Sequence, residues 1–449
     1  MAFSSSGATR RQNIAVIGSG IAGMSAAWLL SRKHEVTLFE KNDRLGGHSN
    51  TVNVKTSLGD TPVDAGFIVF NDLTYPNLVA LFEELGVATK TSDMSFGVSL
   101  NGGQMEYSSV GASAFLCGGR NLFSPRFWSM TLDLMRFYKQ APLELLATRE
   151  SMISLGEYLK LGGYGDAFQR DHLLPQAAAI WSASLAEIHH YPACAFVRFF
   201  ENHGLLKLKG RPQWGTVVGG SRAYVEKITA PYAERARINA GAVSIRRDGA
   251  GVWVRDAQGN AERFDDVVIA AHADEALAML EDPSAEERRL LGEFRYAKNR
   301  AVLHSDRTLM PRRQALWASW NYVGDNPEGG CVVSYWMNKL QEIDSKEQIF
   351  LTLNPQTMPR ESTILYETEY DHPLFNAAAI RAQEQLWSLQ GARNTWFCGA
   401  YFGAGFHEDG LQAGLAVAEQ LGGLRRPWNV TEESGRIHLP APMPGAIAA

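Results

Sequence analysis

Residues 13–41, NIAVIGSGIAGMSAAWLLSRKHEVTLFEK, decide the fold. A short apolar run suited to a buried parallel strand leads into a glycine-rich turn, then a helical stretch, then a second apolar strand. This order places a GxGxxG signature in the β-α-β setting that binds dinucleotides. Gly18 permits the tight turn, Gly20 the close approach of a pyrophosphate, and Gly23 the packing of helix on strand. The sequence therefore predicts a Rossmann-type α/β domain.

Two further features predict how this turn holds a dinucleotide. The N–H groups that begin the helix face the phosphates. Glu40 ends the second strand 22 positions after Gly18, where a carboxylate accepts hydrogen bonds from ribose hydroxyls. The alternative is an ordinary glycine-rich turn followed by a solvated glutamate. The cofactor-binding residues predicted in this unit are Gly18, Ser19, Gly20, Ile21, Ala22, Gly23, Glu40 and Lys41.

The next stretch, EKNDRLGGHSNTV (residues 40–52), resembles a flavoprotein superfamily. This superfamily contains the flavin amine oxidases, protoporphyrinogen oxidase and the phytoene desaturases, and its segment wraps the FAD pyrophosphate. The resemblance implies that Arg44, Gly46 and Gly47 contact FAD. Amine oxidases usually carry Arg after the two glycines, whereas this chain carries His48. His48 can still donate to a phosphate, and a surface histidine is the alternative.

Two later segments resemble further FAD-contacting elements of the superfamily. TPVDAGFIVFN (residues 61–71) matches the strand and turn that pass the isoalloxazine, which implies that Gly66 and Phe67 lie near the ring. Asp64 in this segment is predicted to be a structural turn acid. The resemblance also implies a backbone contact of Ile238 with the adenine and an FAD contact at Ala271, where a buried strand ends.

The segment TWFCGAYFGAGFHEDGLQAGLAVAEQL (residues 395–421) resembles the superfamily's ending of strand, glycine turn, acid-Gly and helix. There the helix N-terminus points at the flavin edge where reduction builds negative charge. The FAD contacts that this resemblance implies are Gly399, Asp409, Gly410 and Leu411. His407 and Glu408 are candidate catalytic residues at the flavin edge. The alternative is that both only brace the turn by hydrogen bonds.

The middle of the chain predicts a second, interleaved domain. Residues 121–138 have helical spacing of Phe, Trp, Leu and Met with basic residues among them, which is typical of a membrane-surface helix or of a core-facing helix pair. Strands of a mixed sheet are expected from about residue 296. The predicted domains are an FAD-binding domain (11–100, 205–295 and 394–425), a substrate domain of mixed sheet plus helices (101–204 and 296–393) and a surface tail (426–449). The predicted fold is amine-oxidase-like.

Composition argues against several classes of protein. The formal charge of −5 over 449 residues gives no basic footprint for nucleic acid. Four separated cysteines without a CxxC pair indicate reduced thiols and no metal centre. The first twelve residues show no apolar signal-peptide core, and no run reaches the ~18 apolar residues of a membrane span. We expect a cytoplasmic protein with peripheral contact to the inner membrane face.

The sequences of four segments resemble one subgroup of the superfamily more closely still. These segments are GFIVFN, NHGLL, PQWGTVVGGSRAYV and GFHEDG. These are the predicted FAD-binding oxidoreductases encoded beside cyclopropane-fatty-acid synthases. The resemblance implies an apolar, lipid or fatty-acyl substrate and a methyltransferase partner of the cyclopropane-fatty-acid-synthase type.

Three functions stay open. The first is FAD-dependent oxidation or desaturation of an acyl chain. The second is amine oxidation, although Leu411 stands where amine oxidases carry an aromatic wall. Lys298 is the candidate for the lysine usual near their flavin, with Asn299 as the alternative at that place. The third is double-bond isomerisation or a non-redox partnership with a lipid methyltransferase. We expect FAD to be non-covalent, because Cys398 lies inside the returning strand.

Overall fold

A computed structural model describes residues 11–181, 184–207, 210–324 and 332–440, and residues 145–151 by their backbone alone. The described residues form two compact units. Unit 1 draws on Met1–Gly47, Tyr224–Glu293 and Ala382–Ala449, and unit 2 on His48–Ala223 and Phe294–Arg381. Cys331 and most of the N-terminal segment considered for a signal peptide lie outside the described residues. The other three cysteines are free thiols, as expected, and all are buried.

Unit 1 is built on a parallel sheet. Its elements are β1 (Asn13–Ile17), α1 (Ile21–Ser31), β2 (Glu35–Phe39), most of α10 (Arg222–Thr229), β10 (Ala236–Arg237), β11 (Ala242–Arg247), β12 (Val252–Asp256), β13 (Ala261–Phe264), β14 (Asp266–Ile269), α11 (Ala273–Met279), α12 (Ala285–Leu291), β20 (Thr395–Phe397) and α15 (His407–Gly422). The sheet has the order β10-β2-β1-β14-β20 with every pairing parallel. The predicted Rossmann-type domain is therefore confirmed.

Close packing of α1 on α15 explains the glycines of the last helix. A Cβ at Gly414 would lie 2.2 Å from the carbonyl oxygen of Ala22, and one at Gly410 would lie 3.0 Å from a side-chain carbon of Ile21. Only glycine allows α15 to approach α1 this closely. The spacing DGLQAG thus has a packing reason as well as the predicted cofactor role.

The described part of the predicted tail packs on unit 1. Arg426 is buried and pairs with Glu419 through its Nε at 2.8 Å. Trp428 stacks on Trp28 of α1 with ring centroids 5.8 Å apart. A buried ion pair and an aromatic stack therefore hold the start of this segment on unit 1, whereas residues 429–440 other than Ile437 are at least partly exposed, and the surface-tail assignment stays a prediction. Residues 441–449 lie outside the described residues.

Unit 2 contains the remaining elements. They are β3 (Thr51–Thr56), β4 (Gly59–Asp64), β5 (Val69–Asn71), α2 (Pro76–Glu84), β6 (Thr89–Ser92), β7 (Phe96–Leu100), β8 (Met105–Ser108), α3 (Ala112–Phe115), α4 (Pro125–Ser151), α5 (Leu155–Leu161), α6 (Asp166–Phe168), α7 (Leu174–Trp181), α8 (Leu185–His189), α9 (Ala193–Asn202), β9 (Trp214–Val217), β15 (Arg295–His304), β16 (Trp320–Gly324), β17 (Val333–Trp336), α13 (Met337–Leu340), β18 (Phe350–Leu353), β19 (Ile364–Leu374) and α14 (Ala377–Gln383).

A mixed sheet of order β19-β15-β18-β17-β16-β7-β8 forms the centre of unit 2. Among the pairings of the described strands in this sheet, only the pairing of β7 with β16 is parallel. Through this pairing residues 96–100 join unit 2. The compact units thus group 48–100 and 205–223 with unit 2, whereas the predicted FAD-binding domain includes them. None of the helices in the described residues has the length and apolar character that a bilayer span requires.

Candidate functional site

The turn after β1 leaves open space beside the N-terminus of α1. Gly18 adopts a φ of +98°, and a Cβ there would lie 2.7 Å from the carbonyl oxygen of Ala270. A Cβ at Gly20 would meet nothing within 4 Å, and the N-terminus of α1 that follows has no side-chain cap. Gly47 lies against the same turn, because its Cβ would stand 2.9 Å from the Cα of Gly20. This open space beside uncapped helix N–H groups fits a pyrophosphate.

Glu40 connects this turn to the double-glycine segment. Its buried carboxylate accepts hydrogen bonds from the Ser19 N–H at 2.9 Å and from the Ser19 hydroxyl at 2.5 Å. Its other oxygen accepts from the Asn42 N–H at 2.8 Å. Ser19 Oγ in turn accepts from the Gly46 N–H at 3.1 Å. Since each carboxylate oxygen has two lone pairs, Oε1 can accept one further hydrogen bond, which is the bond predicted from a ribose hydroxyl.

The other predicted adenosine-side residues lie at the carboxyl edge of the parallel sheet. Ile238 follows β10 and is exposed although apolar, as a residue bordering an adenine would be. Ala271 follows β14 at the same edge. Lys41 pairs with Glu275 at 2.6 Å, and Arg44 donates to the carbonyl oxygen of Gly47 at 2.8 Å. The residues of unit 1 therefore fit the adenosine and pyrophosphate of FAD.

Asp409 is buried at the start of α15, where sequence reasoning placed a flavin contact. It accepts from the Phe406 N–H at 2.7 Å and pairs with Nε of Arg436 at 3.1 Å. Burial raises the pKa of Asp409, and the Arg436 guanidinium opposes this rise. The sequence carries no signal for this pair, because Arg436 stands in a segment without periodicity. Gly399 precedes this turn, and Leu411 is buried in the first turns of the helix.

His407 and Glu408 make bracing contacts. Nε2 of His407 lies 3.0 Å from the Tyr224 hydroxyl, and burial lowers the pKa of His407 to about 3, so its ring is neutral at pH 7. Glu408 is buried and accepts from the Gln412 amide at 3.0 Å. The amide oxygen of Gln412 accepts from the Arg436 N–H at 3.0 Å. These contacts favour the bracing alternative for both residues over an acid–base role.

The surroundings of Lys298 do not favour its predicted catalytic role, which stays a prediction. Its side chain is 73% exposed, and its ammonium pairs with Glu369 at 2.9 Å. The hydrogen bond to Glu369 raises the pKa of the Lys298 ammonium. Because side chains alternate along β15, the buried position belongs to Asn299, whose amide donates to the carbonyl oxygen of Ala297 at 3.0 Å.

Unit 2 carries a cluster around Gly66 that sequence reasoning missed. A Cβ at Gly66 would lie 2.0 Å from the carbonyl oxygen of His48 and 3.0 Å from the Tyr370 hydroxyl. The His48 ring stacks on Tyr370 at 4.9 Å and lies 5.4 Å from the His372 ring. The Asn50 amide donates to the Tyr370 hydroxyl at 2.9 Å. Phe67 joins the cluster through its N–H, which donates to the His48 carbonyl at 2.7 Å.

We call His48, Asn50, Tyr366, Tyr370 and His372 the imidazole–tyrosine cluster. Asn50 also donates to the Tyr366 hydroxyl at 3.2 Å. The alternation in YETEYDH (residues 366–372) could have revealed this cluster, because uncharged residues occupy every second position and acids the positions between. The stacked ring of His48 belongs to this cluster, and its predicted phosphate contact stays a prediction.

Asp64 has the contacts of a structural acid. It is buried and accepts from the Thr51 hydroxyl at 2.6 Å, from the Ser221 hydroxyl at 2.7 Å and from the Gln341 amide at 2.9 Å. Burial raises the pKa of Asp64 to about 6, while these donors favour the carboxylate. The predicted structural role fits these bonds.

Comparison with known sequences defines the class. The sequence model described as "Flavin containing amine oxidoreductase" matches residues 21–306. The chain belongs to this family of FAD-dependent oxidoreductases, and FAD is its cofactor.

A curated relative agrees with this class, and solved structures share the fold. A curated protein of Mycobacterium tuberculosis (strain H37Rv), named "Putative flavin-containing monoamine oxidase AofH", is 30% identical over 255 residues, which cover 56% of this chain and 55% of that protein. The chain thus spans about half the length of the curated relatives it matches. Cyclohexylamine oxidase from Brevibacterium oxydans IH-35A has a TM-score of 0.67 at 17% identity, covering 92% of this chain and 100% of its own. The fatty acid isomerase from P. acnes that produces CLA has a TM-score of 0.67 at 18% identity, covering 91% and 98%. These structures confirm the predicted amine-oxidase-like fold.

Replacing Glu40 with Gln is expected to weaken FAD binding about ten- to a hundredfold, because a charge-assisted bond to a ribose hydroxyl contributes about 1.5–3 kcal/mol. The amide also places a donor beside the Ser19 and Asn42 donors, so we expect folding stability to fall by about 1–3 kcal/mol. FAD titration of the apoprotein and urea unfolding measure the two effects. Glu35→Gln, at the partly exposed start of β2, is the matched control. Unchanged FAD affinity in E40Q would show that Glu40 is not at the ribose.

Proposed function

We propose that this protein uses FAD to remove a hydride equivalent from a C–H bond of an apolar, lipid or fatty-acyl substrate, as an oxidase or desaturase. The residues of the β1 turn, Glu40 and the double-glycine segment would hold the adenosine and pyrophosphate. The start of α15 would lie at the flavin edge, as the superfamily resemblance implies.

The imidazole–tyrosine cluster is the observation that carries this proposal. The resemblance implies that Gly66 and Phe67 lie near the isoalloxazine, and these two residues contact the cluster. The charged residues of β19 alternate to the opposite face, where Glu369 pairs with Lys298 and Glu367 with Arg300. The cluster itself is uncharged apart from any proton on its imidazoles. Such a surface suits an uncharged chain better than a cationic amine, which gains from a carboxylate partner.

Desaturation needs both a hydride acceptor and a proton acceptor. The substrate loses one hydrogen as a hydride equivalent and the hydrogen on the adjacent carbon as a proton, while a C=C bond forms between the carbons. Bound FAD supplies the hydride acceptor. The paired imidazoles of His48 and His372 supply the proton acceptor, a role for which histidine is suited near neutral pH. His407 is less suited, because burial lowers its pKa to about 3.

We expect His372→Gln to slow substrate-dependent flavin reduction at least a hundredfold, because a general base contributes about 10²–10⁴ in rate. The measurement is anaerobic bleaching of the flavin band by fatty acids and phospholipids, with mass spectrometry for a product lighter by two hydrogens. Glu369→Gln, on the opposite face of β19, is the control and should bleach at the wild-type rate. Equal rates of flavin bleaching in both variants would show that His372 takes no part in the reaction.

Amine oxidation is the second candidate, favoured by the family description and by the curated relatives. Against it stand Leu411 at the place of an aromatic wall and the exposed position of Lys298. The same bleaching assay with cyclohexylamine and putrescine decides between the two. Rapid bleaching by these amines, with none by lipids, would make the amine oxidase the better assignment.

A double-bond isomerase and a non-redox partner of a lipid methyltransferase are the remaining candidates. The similarity in fold to a fatty acid isomerase favours the first of these. An isomerase would return the hydride, so the flavin would end oxidised while the double bond moves. A non-redox partner would leave the flavin spectrum unchanged throughout.

We further propose that FAD is held without a covalent bond. Cys398 is buried at the end of β20, and burial raises the pKa of its thiol well above the usual value. Such a thiol is a poor nucleophile. Acid precipitation should therefore release all the flavin into the supernatant.

A further inference from the structure

One face of α4 exposes an apolar stripe. Trp128, Leu132, Met135 and Leu143 recur at the spacing of one helix face, and Leu132 and Leu143 are 70% and 79% exposed. In the preceding turn Phe123 is 90% exposed. Single exposed apolar residues are ordinary, whereas a contiguous group of large ones marks an interaction surface.

This stripe is distinct from the face by which α4 packs on unit 2. That face carries Phe127, Met130, Leu134 and Phe137, all of which are buried. The sequence left a membrane-surface helix and a core-facing helix as alternatives, and the structure shows that α4 has a core face and a separate exposed apolar face. The indole of Trp128 donates to the carbonyl oxygen of Leu122 at 2.9 Å, which fixes the turn that presents Phe123.

The charge around the stripe has the opposite sign to the charge of the chain. Between residues 120 and 143 the sequence has four basic residues and one acid, against a net charge of −5 for the whole chain. Two of these bases are held in ion pairs, Arg136 with Asp133 at 2.9 Å and Arg126 with Asp171 at 2.6 Å, so the local positive charge rests on Arg120 and Lys139. Lys139 lies within the exposed stripe and Arg120 is exposed just before it. The surface therefore combines large apolar side chains with local positive charge.

We infer that Phe123 and the α4 stripe dock on an anionic lipid surface. Helices that lie in a bilayer interface carry Trp, Phe and Leu on one face with Lys and Arg beside them. Each basic residue near an anionic surface gains attraction that a neutral surface does not provide. Protein–protein interfaces instead tend to be depleted in lysine, which disfavours a second copy of the chain or another protein as the occupant. The inference does not depend on the proposed reaction.

The test is co-sedimentation of the holoprotein with phosphatidylglycerol–phosphatidylcholine vesicles and with pure phosphatidylcholine vesicles. We expect stronger binding to the anionic vesicles and weaker binding at high salt. Leu132→Gln should weaken binding about tenfold or more, because a leucine no longer enters the interface. Lys139→Glu should remove most of the preference for anionic vesicles. Leu58→Gln, at a 62% exposed position in the β3–β4 turn, is the matched control.

Two results would overturn the inference. One is equal vesicle binding by the Leu132 and Leu58 variants. The other is a dimer in solution that Leu132→Gln converts to a monomer without any vesicle binding, which would assign the stripe to a second copy of the chain. Flavin bleaching is read separately, so failure of the docking surface and failure of the proposed reaction are distinguishable.

Discussion

Gly23→Ala is expected to destabilise unit 1 by about 3 kcal/mol or more and to abolish FAD retention. A Cβ at this position would lie 1.9 Å from the carbonyl oxygen of Gly18 and 3.1 Å from the Cβ of Ala270. The first contact is with backbone, which cannot rotate away, so α1 would have to separate from β1. Overpacking of this kind costs about 1–3 kcal/mol where side chains can adjust and more where they cannot. Urea unfolding and the flavin content of the purified protein measure the result.

Gly20→Ala is the matched control because it adds the same methyl group three residues earlier. Gly20 has φ −65° and ψ 174°, which alanine adopts without strain, and its Cβ would meet nothing within 4 Å. The apoprotein should keep its stability within about 0.5 kcal/mol. FAD affinity should nevertheless fall at least a hundredfold, because the methyl group occupies the space proposed for the pyrophosphate. Wild-type FAD affinity in the G20A variant would show that the pyrophosphate does not lie beside Gly20. A G23A variant that is stable and retains FAD would contradict the packing argument.

The sequence allows these glycines to be predicted because the conformation of Gly18 and the approach of Gly23 to the Gly18 carbonyl are set locally, although Ala270 also borders both residues. Gly18, Gly20 and Gly23 act within one β-α-β unit, and the turn, the helix start and the second strand all lie within residues 13–41. The pattern of strand, glycine turn and helix near the C-terminus is local in the same way. Motifs of this kind report conformations that the chain must adopt over a few residues, whatever packs around them.

Contacts between distant residues were not predictable. The Tyr224 hydroxyl and His407 are 183 positions apart, and Arg436 reaches Asp409 from a segment read as a tail. Neither pair has a period or a motif that would single it out. The sequence consequently made His407 and Glu408 candidate catalytic residues, whereas the structure gives both of them bracing partners.

The choice between Lys298 and Asn299 shows a different limit. Successive side chains of a strand point to opposite faces, so a shift of one residue exchanges the exposed and buried positions. The sequence around YAKNRAVL does not fix which residue is buried. The partner strand does, because Asn299 pairs with Tyr370 and Lys298 with Asp371 in the register of β15 and β19. The alternation within β19 was the available signal for this register.

Arg436→Met is expected to lower folding stability by about 3 kcal/mol, because it leaves the buried Asp409 carboxylate without its cation. Arg436 is mostly buried, and without it Asp409 keeps only uncharged backbone donors, the N–H groups of Phe406 and Ala404, among the partners described. Arg425→Met is the control from the same segment. Arg425 is exposed and pairs with Glu433 at 2.8 Å, so its loss should cost less than about 1 kcal/mol. Urea unfolding of both variants gives the comparison.

The pH dependence of this deficit identifies Asp409 as its source. Burial already raises the pKa of Asp409, and loss of the guanidinium removes the interaction that lowers it. A carboxyl whose folded pKa lies above its unfolded value stabilises the fold while it is protonated, and that stability is lost as pH rises through the folded pKa. The deficit of Arg436→Met should therefore be smallest at acidic pH, where the carboxyl is protonated, and grow as the pH rises through the folded pKa of Asp409. Adding Asp409→Asn to the variant removes the titrating group and should flatten this dependence. A deficit that stays constant with pH in Arg436→Met would assign the lost stability to packing of the arginine stem and not to the ion pair.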